Sequence, residues 1–239
     1  VGGIADLKAG LIRLIGDPAQ HYHEDPVRLL RAVRFAAKLG FRLDPATEAP
    51  LHRLGHLLEK IPPARLFDEV LKLFLGGCAI QTFELLRHYR LFGWLFPATE
   101  RCLHHQQRHY PKTLLVRALA NTDRRLAENK PIHPAFLFAA LLWEPLREQM
   151  RSLEADGLDA HEALQEAAER IIQAQIRHTA LPRRYSLPMR EIWELQQRLM
   201  VTTGKRALRL LDHPRFRAGY DFLLLRAEAD EQAAPLADW

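Results

Sequence analysis

The sequence predicts an all-α protein, built as an irregular array of many helices. Apolar residues recur at the helical spacing of three and four along most of the 239 residues, and prolines and glycines repeatedly begin or end these runs. Alternation of apolar and polar residues is convincing only over residues 10–17. We therefore expect one short strand there, which could be left over from a domain outside this chain, and helices throughout after Pro26.

The segment 26–40 is the clearest helix. Val27, Leu30 and Val33 fall on one stripe at helical spacing. Gly40 follows at the position where glycine commonly ends a helix, because it adopts the left-handed conformation without a Cβ clash. This pattern predicts a helix with one buried face and a defined end.

The following segments are predicted to be helical with interruptions. Residues 44–61 begin like a helix, but Pro50 and Gly55 argue for breaks in it. Residues 62–77 begin with two prolines and end with two glycines, which suits a single helix. Residues 80–97 continue the helical pattern and end in an aromatic run, predicted to be core, which comprises Phe92, Trp94 and Phe96.

The C-terminal half combines a buried helix with an uneven distribution of charge. Residues 136–143 are apolar all round, which predicts the centre of a packed layer. Eight acids and three bases lie in 144–170, whereas ten bases and four acids lie in 183–226. The proline-containing stretch 181–188 is interpreted as the boundary of a compact basic module at the C-terminus.

Bulk composition excludes several classes of protein. Hydrophobic residues make up 48% of the chain, enough for a sizeable core, and the net charge of +5 favours polyanionic partners. Two cysteines cannot form a disulfide framework, so we expect a reducing, cytoplasmic location. Apolar runs of about 18 residues, the length needed to cross a bilayer, are absent from the sequence, so no membrane association is expected.

The stretch HEDPVRLLRAVRF, residues 23–35, raises the main functional question. In the simpler interpretation, Asp25 caps the helix that Pro26 begins, and the arginines form a solvated face. In the sharper one, the carboxylate of Asp25 accepts from the amino group of adenine while the guanidinium of Arg28 donates to the neighbouring ring nitrogen. Cytosine offers the same donor and acceptor order, whereas guanine and uracil reverse it. Such a pair therefore selects adenine or cytosine.

This stretch resembles a base-recognition motif of bacterial class II nucleotidyltransferases, the family of poly(A) polymerases and CCA-adding enzymes. The matching residues are Glu24, Asp25 and Arg28, and IPPARLFDEVLKLF resembles the next motif of that family. Resemblance to the poly(A) branch continues through HPAFLFAALLWEPL and GKRALRLLDHPRFRAGYDFLLLRAE, and so covers almost the whole chain. It implies a template-independent polymerase that adds AMP from ATP to RNA 3′ ends. CCA addition to tRNA, or a non-catalytic helical RNA-binding module, are the alternatives.

The resemblance also implies what the chain should lack. Members carry a catalytic head with a Gly-Ser phosphate loop and an Asp-x-Asp pair that holds Mg²⁺, and the sequence contains neither. We therefore expect Mg²⁺ in a head outside this chain, no catalytic residue within it and no activity from it alone. The expected division is 1–20 as the end of the head or a linker, 21–100 as the neck, 101–180 as a helical body, and 181–239 as a basic RNA-binding leg.

Candidate binding residues follow from the same reasoning. Glu24 would orient Asp25 and Arg28, and further arginines on the same ridge would support the site or reach phosphates; these are Arg31 and Arg34. Tyr185 or Trp193 could stack on bases. RNA would be held by the basic residues of the last segment, which are Arg183, Arg184, Lys205, Arg206, Arg209, Arg215 and Arg217.

Three further groups carry weaker predictions. Arg65 and Glu69 are four apart, so they would form an intrahelical ion pair, or would brace the nucleotide site together with Lys72 as the family motif suggests. Cys78 is predicted to be small packing in a turn. The stretch CLHHQQRHY suggests a zinc site but is interpreted as a surface or loop segment without metal; its candidate ligands are Cys102, His104, His105 and His109.

Overall fold

A computed structural model describes residues 2–105, 110–200 and 204–228. The all-α prediction is confirmed, since helices make up most of the described chain. The α-helices are α1 (Gly3–Lys8), α2 (Pro18–Glu24), α3 (Val27–Leu39), α4 (Pro45–Glu48), α5 (Leu51–Leu54), α6 (Pro63–Phe74), α7 (Ala79–His88), α8 (Phe92–Leu95), α9 (Pro97–His105), α10 (Tyr110–Ala127), α11 (Pro134–Leu141), α12 (Trp143–Ala155), α13 (Ala160–Gln175), α14 (Arg183–Arg198), α15 (Gly204–Leu208) and α16 (Phe216–Ala227).

Two short parallel strands, β1 (Leu11–Ile12) and β2 (Arg42–Leu43), join the N-terminal segment to the end of α3. The amide of Arg42 donates to the carbonyl of Gly10, and that of Asp44 donates to the carbonyl of Ile12, each at 2.9 Å. The predicted strand therefore forms, and it pairs with β2 in the described part of the chain. Because β2 lies after Pro26, the expectation of helices throughout that part was wrong there; a two-residue strand leaves no periodic signal.

Helix α3 forms as its apolar stripe predicts. Gly40 ends it with φ 64°, where a residue with a Cβ would be strained. The buried face is wider than one stripe and comprises Val27, Leu29, Leu30, Ala32, Val33 and Ala36. This face packs against α6 and α7, which places the arginine ridge of α3 beside the polar side of α6.

The segment 44–61 is broken where its proline and glycine predict. It consists of α4, α5 and the 3₁₀ helix Gly55–Lys60. A Cβ on Gly55 would lie 2.7 Å from Nε1 of Trp94, so a close contact requires the glycine. Phe92 and Phe96 are fully buried, as predicted, while Trp94 is partly buried against the same core. Cys78 is buried at the start of α7, in agreement with its predicted packing role.

One large cluster of buried side chains runs from Tyr22 to Phe222. Helix α11 lies at its centre, as the apolar run predicts, and packs against α14. Pro188 lies inside α14, so the second proline of 181–188 does not mark a boundary. Within the described ranges, no helix is both long enough and apolar enough to cross a membrane.

Candidate functional site

Asp25 lies at the start of α3, where the chain turns out of α2. Its backbone is extended (φ −142°, ψ 90°), whereas Pro26 already has helical angles (φ −57°, ψ −20°). Oδ1 of Asp25 accepts from the amide of Val27 at 3.3 Å, and its carbonyl accepts from the amide of Arg28 at 3.0 Å. Asp25 thus caps the first turn through a side-chain contact at the long end of the hydrogen-bond range.

The ion-pair partner of Asp25 is Arg65, from the first turn of α6. Nη2 of Arg65 donates to both carboxylate oxygens of Asp25, at 2.9 and 3.0 Å. The intrahelical pair between Arg65 and Glu69 is not formed, so that interpretation was wrong. Packing of α6 against α3 brings Arg65 across to a residue 40 positions earlier, a contact that helical spacing cannot indicate.

The carboxylate of Asp25 keeps capacity for a ligand. A carboxylate offers about four acceptor positions on its two oxygens. Among the described residues, Arg65 and the Val27 amide donate to Oδ1, whereas Arg65 alone donates to Oδ2. The side chain is 22% exposed. One acceptor position on Oδ2 is therefore open to a donor such as an exocyclic amino group.

Arg28 is only weakly held by its neighbour on the same ridge. Its Nη1 lies 3.6 Å from Oε2 of Glu24, a long ion-pair distance, and its side chain is 35% exposed. Glu24 is bound more closely by Nδ1 of His21, at 2.9 Å, and by Gln20, at 3.1 Å. The hydrogen bond from His21 is the main reason that the pKa of Glu24 lies below its ordinary value. The guanidinium of Arg28 is thus held only weakly near the N-terminus of α3.

The ridge continues into a charge cluster between α3 and α6. Nζ of Lys72 donates to Oε1 of Glu69 at 2.8 Å, and Nη2 of Arg31 lies 4.0 Å from the same oxygen. Glu69 is only 3% exposed, and within the described ranges its Oε2 and the Nε of Arg34 are buried without a hydrogen-bond partner. The guanidinium of Arg34 lies 4.8 Å from the ring centre of Phe35. Arg31 thus lies beside the charge cluster around Glu69, and Arg34 is partly buried against Phe35.

The predicted RNA-binding residues of the last segment occupy several environments. Exposed positions on α14, on α15 and just after α15 carry four of them, which are Arg183, Arg184, Lys205 and Arg209. Arg215 donates to Glu191 at 3.1 Å, and Arg217 donates to Asp221 at 3.0 Å while its side chain stays 87% exposed. The side chain of Arg206 lies outside the described residues.

The two aromatic candidates for base stacking differ. Trp193 is 1% exposed, and its Nε1 donates to the carbonyl of Ala139 at 3.1 Å, so it is a core residue and that suggestion was wrong. Although α14 is basic in composition, one of its faces is apolar and packs against α11. Tyr185 is partly exposed, with the guanidinium of Arg184 4.9 Å from its ring centre and His133 at 6.0 Å.

The cysteine and histidine stretch is not assembled as a metal site in the described part. Cys102 is 2% exposed, and burial, followed by Glu148, raises the pKa of its thiol to about 12. His104 pairs with Glu100 at 3.0 Å. The side chain of His105 and the whole of His109 lie outside the described residues. Among those that are described, no three His, Cys, Asp or Glu side chains converge.

Two models of known families match the chain, and together they cover more than half of it. Residues 40–103 match the family described as "Probable RNA and SrmB- binding site of polymerase A". Residues 156–239 match the family described as "Polymerase A arginine-rich C-terminus". Both models belong to polymerase A proteins, in agreement with the resemblance stated above.

Relatives with curated names support the same family. Poly(A) polymerase I of Haemophilus influenzae is 46% identical over 239 residues, which is 99% of this chain and 53% of the relative. The CCA-adding enzyme of Limosilactobacillus fermentum is 51% identical over only 74 residues, which is 31% of this chain and 18% of the relative. The chain thus spans about half the length of the poly(A) polymerases that it matches from end to end.

A solved structure shares the fold. The Thermotoga maritima CCA-adding enzyme complexed with tRNA_CCA superposes with a TM-score of 0.61 at 18% sequence identity, covering 99% of this chain and 52% of that one. Identity at this level supports the common fold alone. The assignment to the poly(A) branch therefore rests on the sequence relatives.

Proposed function

Because this chain belongs to the bacterial poly(A) polymerase family, we propose that it supplies adenine recognition and RNA binding to a template-independent polymerase. That enzyme would add AMP units from ATP to the 3′ ends of RNA. The observation that carries the proposal is the open acceptor position of Asp25, held by Arg65, beside the loosely anchored guanidinium of Arg28.

The geometry supports selection of adenine. Asp25 would accept from the N6 amino group, and Arg28 would donate to N1 on the same edge of the base. Guanine would set a carbonyl against the carboxylate and an N–H against the guanidinium. Each unmatched polar group in a desolvated site costs about 1–3 kcal/mol, so the pair would discriminate strongly. Glu24 would limit the movement of Arg28 from the neighbouring turn.

RNA would contact more than one part of the chain. The basic residues at the start of α14 and around α15 and α16 would hold the backbone through charge. The match of residues 40–103 to a family described as a probable RNA-binding site supports a second contact region in the earlier helices. We retain 21–100, 101–180 and 181–239 as functional segments, neck, body and leg, within one shared core.

Transfer of AMP also requires groups that the described residues do not supply. Their carboxylates, imidazoles and thiols do not converge into a set that fits Mg²⁺. We therefore assign Mg²⁺ and the triphosphate chemistry to another part of the enzyme. The role of this chain is to bind and orient the base and the RNA.

The main alternative is CCA addition, because cytosine and adenine present the same edge to Asp25 and Arg28. The short range of similarity to a CCA-adding enzyme, set against end-to-end similarity to poly(A) polymerases, favours poly(A) synthesis. The test uses a protein that carries this chain at the full length of its relatives, with an RNA primer or a tRNA lacking CCA. Long tails of A support the proposal, whereas addition of C, C and A followed by a stop contradicts it.

An RNA-binding module without nucleotide recognition is the alternative from another class. Hydrogen exchange of the same full-length protein, with and without ATP, distinguishes this alternative from the proposal. ATP should protect the amides at the N-terminus of α3 from hydrogen exchange in the parent protein, but not in the Asp25→Ala or Arg28→Ala variant. RNA binding without any preference among nucleotides would indicate the module instead.

A further inference from the structure

A cleft of about 230 Å³ lies between the C-terminal half of α10, the turn before α11 and the first turns of α16. Two of its lining residues, Arg215 and Arg217, are among the predicted RNA-binding residues, but the cleft itself is separate from the proposed adenine site. Pockets for drug-sized ligands have volumes of about 300–1,000 Å³, so this one suits a smaller group. Its lining combines apolar surface with several cations.

One wall of the cleft is apolar. The ring of Phe136 is half-buried in this wall and meets Phe222 edge to face, with ring centres 5.7 Å apart. Pro131, Ile132 and Pro214 complete the apolar lining. Such a surface favours a planar, weakly polar group, because every base presents a face that stacks on aromatic and apolar side chains.

The rim is cationic. Arg125, Arg215 and Arg217 line the cleft together with a single carboxylate, Asp221. Arg125 is fixed by donating from Nε and Nη2 to the carbonyl of Pro131, at 3.2 and 2.9 Å. Arg215 donates to Glu191, which lies outside the lining. Arg217 donates from Nε to Oδ1 of Asp221 at 3.0 Å, but its side chain is 87% exposed, so its remaining donors can reach an anion at the entrance.

His133 adds a neutral hydrogen-bonding group. Burial, followed by the charge of Arg215, lowers the pKa of His133 below its ordinary value. Nδ1 of His133 accepts from the amide of Ala135 at 3.3 Å, so the proton of the neutral ring lies on Nε2. The cleft therefore offers one donor from His133 and one acceptor from Asp221 to the edge of a bound group.

We propose that this cleft holds one unstacked nucleotide of a single-stranded RNA. The base would enter against Phe136, and its phosphate would lie on Arg217 and Arg215. The inference rests on the proposed RNA-binding function and adds a specific site to it. The ring centres of His133 and Tyr185 lie 6.0 Å apart, and the guanidinium of Arg184 lies over the Tyr185 ring, so the cleft is next to the exposed basic start of α14.

The test measures binding of the whole chain to a fluorescein-labelled oligonucleotide of twelve adenosines, by fluorescence anisotropy at several salt concentrations. Arg217→Glu should weaken binding about five-fold or more, and it should reduce the slope of log K against log salt by about 0.7, the value for one contact to single-stranded phosphate. Arg170→Glu is the matched control, because Arg170 is also an exposed arginine in an i,i+4 pair, with Glu166 at 2.7 Å. This control should change affinity less than two-fold.

Phe136→Leu tests the stacking surface while it keeps the wall apolar, and circular dichroism checks that the variant is folded. It should weaken single-strand binding about five-fold or more, because stacking of a base on an aromatic ring is lost, and it should leave duplex binding unchanged. Equal losses of affinity for Arg217→Glu and Arg170→Glu, or no loss of affinity in either Arg217→Glu or Phe136→Leu, would overturn the proposal that this cleft binds a nucleotide. Failure of the unmodified chain to bind the oligonucleotide at all would instead reject the proposed RNA-binding function.

Discussion

The contact between Asp25 and Arg65 links the start of α3 to the first turn of α6, and a double-mutant cycle measures its strength. The variants are Asp25→Ala, Arg65→Ala and the combination of both. Asp25→Ala also removes the cap contact to Val27, worth about 1 kcal/mol, but that loss occurs in both arms and cancels in the cycle. The remaining coupling energy reports the ion pair.

The structure sets the size of the expected coupling. One guanidinium nitrogen reaches both carboxylate oxygens, at 2.9 and 3.0 Å, so the contact is short but lacks the two parallel bonds of a bidentate pair. Arg65 is 47% exposed and Asp25 is 22% exposed. Fully exposed pairs contribute about 0.2–1 kcal/mol and hydrogen bonds to charged groups about 1.5–3 kcal/mol, so we expect a coupling of about 1 kcal/mol.

Urea unfolding of the four proteins provides the assay. In a chain of this length, a loss of about 1 kcal/mol also lowers the midpoint of thermal unfolding by about 2–4 °C. A parallel cycle on the exposed i,i+4 pair of Arg170 and Glu166 should give about 0.3–0.5 kcal/mol. If Asp25 and Arg65 couple no more strongly than this reference pair, the idea that α6 fixes the base-reading carboxylate is wrong.

Three further predictions follow from buried groups. Glu69→Met should change stability by no more than about 1 kcal/mol. It removes a desolvated carboxylate whose Oε2 has no partner, and it also removes the ion pair with Lys72, which is half-exposed and can be solvated instead. A loss above about 2 kcal/mol in urea unfolding would contradict this. Gly219→Ala should lower stability by about 1–2 kcal/mol, because the new Cβ would lie 2.7 Å from Cδ1 of Leu195. This clash should outweigh the higher helix propensity of alanine. A rise in the unfolding midpoint would refute the close packing of α14 on α16. Cys102 should react slowly with Ellman's reagent at pH 8, because it is buried and its pKa is raised from 9.0 to about 12. The same shift means that its contribution to stability is present below pH 9 and is lost as the pH rises through about 12. Rapid labelling of both cysteines in the native chain would contradict this.

Local patterns in the sequence predicted most of the helices. The left-handed Gly40, the breaks at Pro50 and Gly55 and the buried α11 all follow from residue types within a few positions of each other. The pairing of β1 with β2 did not follow, because two residues are too few to show a period. Pro188 was misread as a boundary, since it lies inside α14.

The residues of the proposed adenine site were chosen from the sequence, whereas their contacts were visible only in the structure. Asp25 and Arg28 were singled out by charge and by the family motif, but the partner of Asp25 lies 40 residues away on α6. Trp193 was misassigned because the charged face of α14 is visible in composition, whereas its buried face is defined by α11. Such contacts depend on how helices pack, which spacing within one helix does not reveal.

The central claim, that Asp25 and Arg28 read the edge of adenine, is tested most directly by nucleotide selectivity. The measurement is the ratio of kcat/KM for ATP to that for GTP, in a polymerase that carries this chain at the length of its relatives. Asp25→Asn should lower the ratio about ten-fold or more, because the amide of asparagine can donate to the carbonyl of guanine, and Arg28→Met should lower it by removing the donor to N1. A ratio that stays at the parent value in both variants would contradict the account.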